Sequence, residues 1–197
     1  LDRVRAALVG RGPRPAAPAL PSSRPVDDPV ALFTERAHLV GMAVLGVGLE
    51  GLPAHAAAWC AERGVRRVLA WDTVELGPVR EALDRAGIAI VPPGAPVQDL
   101  AAADAGITGA DWGIAETGSL VLATDPGRPR LVSLLPPRHL AVIRAERIVS
   151  DLPALFERCG SLPSALTLIT GPSRSADIGF VPVLGAHGPM EVAVFVI

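Results

Sequence analysis

The sequence predicts an α/β protein with a largely parallel sheet flanked by helices and an antiparallel portion in its C-terminal half. Three observations carry this expectation. Between residues 41 and 91, short apolar runs alternate with helical stretches that end in glycine, the pattern of right-handed crossover units. After residue 104 the apolar pieces are broken by Gly and Thr, with no long helical stretch. The chain closes on "MEVAVFVI" (190–197), a strand-like run in which Glu191 and Ala193 alternate with bulkier residues.

The elements follow in order. "LDRVRAALV" (1–9) has the spacing of a short helix, and "GRGPRPAAPALPSSRP" (10–25) cannot extend it because its prolines lack the donor and hold the backbone extended. Residues 1–27 therefore read as an N-terminal helix and proline-rich arm, and residues 28–197 as the α/β domain. An arm of this kind also suggests a homodimer clasp. Asp28-Pro29 offers an N-cap and a proline at the first helical position, and Val30, Phe33, Ala37 and Val40 give a helical stripe to about residue 39. Strands are expected over 41–47, 65–71 and 88–91, with helices over 52–63 and 77–87 between them. In the second half, "RLVSLL" (130–135), "HLAVIR" (139–144), "ALTLIT" (165–170) and the closing run read as strands. "DLPALFERCG" (151–160) reads as a helix capped by Ser150 or Asp151.

Composition excludes several chemistries. All 18 basic residues are Arg, and the chain contains no Lys, Asn or Tyr. Schiff-base chemistry, a pyridoxal-phosphate linkage and a complete Walker A loop are thereby ruled out. The net charge of −2 gives no basic field for nucleic acid. The longest apolar run (39–49) is too short and glycine-rich to span a bilayer. Two cysteines, Cys60 and Cys159, fit a reduced cytoplasmic protein and are too few for an all-cysteine iron–sulfur site. No HxH, HExxH or paired Cys/His spacing points to a metal, and no GxSxG elbow is present; "GVGLEG" (46–51) has glycines of the dinucleotide-binding kind, but Glu50 lies where a pyrophosphate would need room, so the signal is weak.

Ligands of open α/β sheets bind beyond the carboxyl ends of strands, and four loops follow strand-like runs: "TGAD" (108–111), "ETGS" (116–119), "PPRH" (136–139) and "TGPSRSAD" (170–177). In the last, Gly171 and Pro172 set a turn after which Ser173 or Ser175 is placed to cap a helix facing an anion, with Arg174 adding a planar fork for a carboxylate or phosphate. A capped helix with Arg174 paired to Asp177 uses the same groups. Glu116 admits three readings: a nucleophile or base, a structural acceptor for the Thr117-Gly118-Ser119 backbone, or a solvated hairpin tip. Spacing favours the structural one. Asp111 reads as an Asx-type turn former or a ligand contact. His139 and His187 are placed to donate to a substrate carboxylate, although surface and capping histidines are commoner. His38 and His55 read as structural.

The stretches "GITGADWGIAETGSLVLA", "GRPRLVSLLPPRHLAVIRAERIV", "LPSALTLITGPSRSADI" and "VLGAHGPMEVAVFVI", in this order, resemble the LUD-domain family of lactate-utilisation proteins. The resemblance covers roughly 28–197 and is dense from 104 onward. It implies a fold related to sugar-phosphate isomerases and CoA transferases, and a role in a three-component system oxidising L-lactate to pyruvate. Iron–sulfur and cysteine-rich partner proteins would carry the clusters there, and this chain no cofactor. It also implies a ligand site at Thr108, Gly109 and Asp111; at Glu116, Thr117, Gly118 and Ser119; at Arg138 and His139; and at Thr170, Gly171, Ser173 and Arg174, with His187 nearby. By analogy with the CoA-transferase nucleophile and the isomerase base, Glu116 is the catalytic candidate. The expectation is a component of a lactate-oxidising complex that binds a small anion. The alternative is a free-standing isomerase or CoA-transferase-like enzyme acting on a phosphate- or CoA-bearing substrate.

Overall fold

The computed structural model describes residues 3, 21–92, 94–125, 127–160, 163, 165–176, 182–185 and 187–197. Most of the expected N-terminal helix and arm lies outside them, as does Asp177. The first described stretch of the arm runs over the body of its own chain, where the Arg24 N–H donates to Asp151 Oδ2 at 2.6 Å.

Helix α1 (Pro29–Leu39) begins as its sequence dictates, with Asp28 Oδ1 accepting the Ala31 N–H at 2.9 Å. Then come β1 (Ala43–Gly46), α2 (Leu52–Glu62), β2 (Arg67–Ala70), a 3-10 turn (Val74–Leu76), α3 (Gly77–Arg85), β3 (Ala89–Val91), α4 (Val97–Ala101) and β4 (Ala105–Gly109). A hairpin follows, β5 (Trp112–Ile114) and β6 (Ser119–Ala123). Beyond it lie α5 (Leu131–Leu134), β7 (Arg138–Ile143), a second 3-10 turn (Ala145–Arg147), β8 (Ile148–Val149) and α6 (Leu152–Cys159). The chain ends with β9 (Leu166–Ile169), the ribbon β10 (Arg174–Ala176) and β11 (Pro182–Leu184), and β12 (Glu191–Val196).

The central sheet has the order β1-β12-β7-β4-β2-β3, and every pairing is parallel. Both faces are covered, so its inner strands are largely apolar, with Leu140, Ala141, Val194 and Ile107 all fully buried. A second sheet, β8-β5-β6-β9, is largely antiparallel. It packs with α6 around Ile114, Val121, Val149 and Leu155. Asp151 caps α6 by accepting the Ala154 N–H at 2.9 Å, which selects it over Ser150. Helix α1 touches both sheets, through β1 and β8. Its close approach to the hairpin needs Gly118, which has φ +64° and would place a Cβ 2.3 Å from the Ala37 nitrogen.

Two expectations are corrected. Residues 130–135 are not a strand, because 131–134 form the short helix α5. That helix lies against β4 at Gly106, where a Cβ would stand 1.8 Å from the Val132 carbonyl oxygen. Nor does a helix start after residue 173: Arg174–Ala176 forms a strand paired antiparallel with Pro182–Leu184. The serine-capped anion site expected there therefore does not form.

Candidate functional site

The six-stranded sheet opens a cleft of about 210 Å³ at the carboxyl ends of its inner strands. Parallel crossovers bring their loops to this edge, which is where α/β sheets bind ligands. One wall comes from the residues after β2, namely Trp71, Thr73, Glu75 and Leu76. The floor comes from Gly109 to Trp112 after β4, and the other wall from Arg144 and Arg147 after β7. Ile197 follows β12, and Arg128 reaches in from the loop after β6.

Three guanidinium groups dominate the lining. Arg128 is neutralised internally: its Nη1 donates to Asp111 Oδ1 at 2.5 Å and its Nε to Asp125 Oδ2 at 2.7 Å. The Arg128 hydrogen bond holds the Asp125 carboxyl below the usual carboxylate range. Arg128 also lies 5.6 Å over the ring of Trp71, whose own Nε1–H donates to the Pro129 carbonyl at 3.2 Å. Arg147 stacks 4.8 Å over Trp112 and has no carboxylate in ion-pair range among the described residues. Among the described residues, the acid within ion-pair range of Arg144 is Glu146 at 3.9 Å, on side chains open to water, where such a pair contributes little.

Asp111 is the pivot of the floor. Its Oδ2 accepts the Ala123 N–H at 2.7 Å and its own N–H donates to Val121, so the β5–β6 hairpin is tied to the same carboxylate that fixes Arg128. Behind the floor, Thr108 and His139 are both fully buried and share a 2.8 Å hydrogen bond between Oγ1 and Nε2. His139 Nδ1 has no partner, and burial pushes the imidazole pKa down to about 4. The ring is therefore neutral near pH 7, and its one hydrogen bond supports Thr108.

The four expected loops do not converge. Gly109 and Asp111 line the cleft, but the others gather elsewhere. Glu116 sits exposed in the β5–β6 turn, with its N–H on the Ser150 carbonyl. Beside it, Thr117, Ser119 and Thr170 form a hydroxyl chain with two 2.7 Å links. Gly171 and Arg174 lie against the end of α1, where Arg174 Nη2 donates to the Val40 carbonyl at 3.4 Å. Ser173 Oγ accepts the His187 N–H at 3.3 Å. Arg138 opens β7 and pairs at 3.6 Å with Glu191, which opens β12. It thus sits at the amino ends of the parallel strands, away from the cleft. Neither Glu116 nor Arg174 lines the cleft.

Trp71, Arg128, Arg144 and Arg147 were not singled out by the sequence reading. In a chain whose every basic residue is arginine, none stands out by type. The usable signal was position, since Arg144 directly follows the run "HLAVI" and so lies at a strand's carboxyl end.

Comparison with known proteins matches the LUD domain model over residues 97–197. The chain is 39% identical over 102 residues to Lactate utilization protein C of Macrococcus caseolyticus, covering 48% of this chain and 44% of that protein. It is 38% identical over 108 residues to Lactate utilization protein C of Halalkalibacterium halodurans, covering 51% and 47% respectively. The matched stretch thus spans less than half the length of these relatives. A crystal structure of a DUF162 family protein from Deinococcus radiodurans superposes with TM-score 0.66 at 26% identity, covering 87% of this chain and 99% of that one. The family match runs from α4 to the last residue, just over half of the chain, and this protein belongs to the LUD-domain family.

Proposed function

We propose that this protein is a component of an L-lactate utilisation system and binds a small anionic metabolite in the cleft at the carboxyl ends of β2, β4, β7 and β12. The observation that carries this reading is the pair Arg144 and Arg147 on one margin of that cleft, with so little acid to balance them. A guanidinium left with free donors in a recess is suited to a carboxylate or phosphate. The relatives named for lactate utilisation supply the metabolic setting. With two cysteines in the whole chain, electron transfer falls to partner proteins bearing iron–sulfur and cysteine-rich modules, and this component supplies metabolite binding.

The test is genetic complementation. Deleting the gene should abolish growth on L-lactate as sole carbon source. Wild-type protein should restore it, and a variant carrying R144Q and R147Q, expressed to the same level, should not. Unimpaired growth of the deletion strain would refute the lactate assignment. Full rescue by the double variant would refute the cleft.

A further inference from the structure

We propose that the anion taken by this cleft is a phosphoryl group, held by Arg144 and Arg147, with the neutral remainder of the ligand lying towards Trp71 and Leu76. The inference rests on the cleft being the ligand site and goes on to name the ligand's class.

Asp111 and Asp125 balance Arg128. Arg147 has no acid partner among the described residues, and the 3.9 Å contact of Arg144 with Glu146 is weak and solvated. Both side chains are exposed, so their mutual repulsion is screened; what they offer is two guanidinium groups with free donors on one margin, which suit a group that carries two negative charges in one place.

Spacing points the same way. Arg144 follows the last residue of β7, and Arg147 closes a single 3-10 turn in which its N–H donates to the Arg144 carbonyl at 3.0 Å. Both side chains therefore rise from one four-residue segment, and Trp112 fixes the direction of Arg147 by stacking at 4.8 Å. A carboxylate presents one edge of two oxygens to a guanidinium, whereas a phosphoryl group has three terminal oxygens and presents an edge to each of two guanidinium groups.

The opposite wall disfavours a dicarboxylate long enough to cross the cleft. The order β12-β7-β4-β2 places the β2 loop two strands from the β7 loop, about 10 Å across. That wall carries Glu75 beside Trp71 and Leu76. A dicarboxylate reaching across would set its second charge against Glu75, whereas a phosphate monoester keeps both charges at the arginine margin.

The experiment is isothermal titration of the full chain with glycerol 3-phosphate and, separately, with L-lactate. Each is run at pH 7.5 and 5.0 on wild type, R144Q, R147Q, the double variant and the surface control R85Q, with thermal melts to confirm folding. We expect glycerol 3-phosphate to bind at least about tenfold tighter than L-lactate at pH 7.5. Its affinity should weaken at pH 5.0, where the monoester loses one charge. The double variant should lose about 100-fold or more, and R85Q should match wild type. If the double variant does not fold, R144Q and R147Q must each weaken binding by about tenfold or more. L-lactate binding that is lost in the arginine variants, with glycerol 3-phosphate weaker, would overturn the phosphoryl assignment and leave the cleft as the anion site. Equal glycerol 3-phosphate binding by wild type and the double variant, or no binding of either anion, would overturn both.

Discussion

His139 makes the buried floor behind the cleft sensitive to acid. The ring is fully enclosed, with Nε2 on Thr108 and Nδ1 without a partner, and burial holds its pKa at about 4 against an ordinary 6.5. Above pH 6.5 the ring is neutral whether the chain is folded or not, so it contributes no pH dependence. As pH falls from 6.5 towards 4, the unfolded chain binds a proton that the native state refuses, and stability is lost. At pH 5 that loss is about 2 kcal/mol, rising to about 3 kcal/mol below pH 4. The variant His139→Gln keeps a group able to hydrogen-bond Thr108 and removes the titration. Guanidinium chloride unfolding followed by tryptophan fluorescence at pH 7.5 and 5.0 should show wild type losing about 2 kcal/mol more than the variant over that interval. Other titrating groups cancel in the difference. Equal losses in the two proteins would refute a neutral, buried His139.

Further outcomes follow from the same geometry. Asp111→Asn retains an acceptor for the Ala123 N–H but removes the charge facing Arg128. It should cost about 1–2 kcal/mol in urea unfolding, given the partial exposure of the pair, and a cost below about 0.3 kcal/mol would show that Asp111 is not the pivot. Glu116→Gln, at an exposed turn, should change stability by less than about 0.5 kcal/mol and should support growth on L-lactate as well as wild type. Loss of growth by a normally folded Glu116→Gln protein would return that carboxylate to the chemistry.

The parallel sheet was legible because its signals are local and repeated. Strand-length apolar runs alternate with helices that open on Asp28-Pro29, Leu52-Pro53 and Gly77-Pro78, and each run found its place in the sheet. The site was less legible, and one misreading explains part of that. Taking "RLVSLL" for a strand put Arg138 and His139 just past a carboxyl end. Because 131–134 are helical, Arg138 instead opens β7 at the opposite end of the sheet, and His139, next along the strand, turns inward to Thr108. What makes α5 possible is the missing side chain at Gly106, a contact between residues 26 positions apart that no local pattern reveals. The loops at 116–119 and 170–174 lie away from the cleft for a different reason. They follow strands of the second, largely antiparallel sheet, to which the carboxyl-end rule does not apply. Asp111 was read as an Asx-type turn former or a ligand contact, but its carboxylate accepts from the Ala123 N–H and from Arg128, partners that spacing alone could not assign.

The most direct test of the account is a backbone-amide NMR titration of the full chain with L-lactate, pyruvate and inorganic phosphate in turn. Whichever anion binds should shift the amides of 109–112 and 144–147 and leave those of 116–119 and 170–174 in place. Shifts confined to the latter two segments, or no shift with any of the three, would contradict the placement of the anion site at the carboxyl ends of the parallel strands.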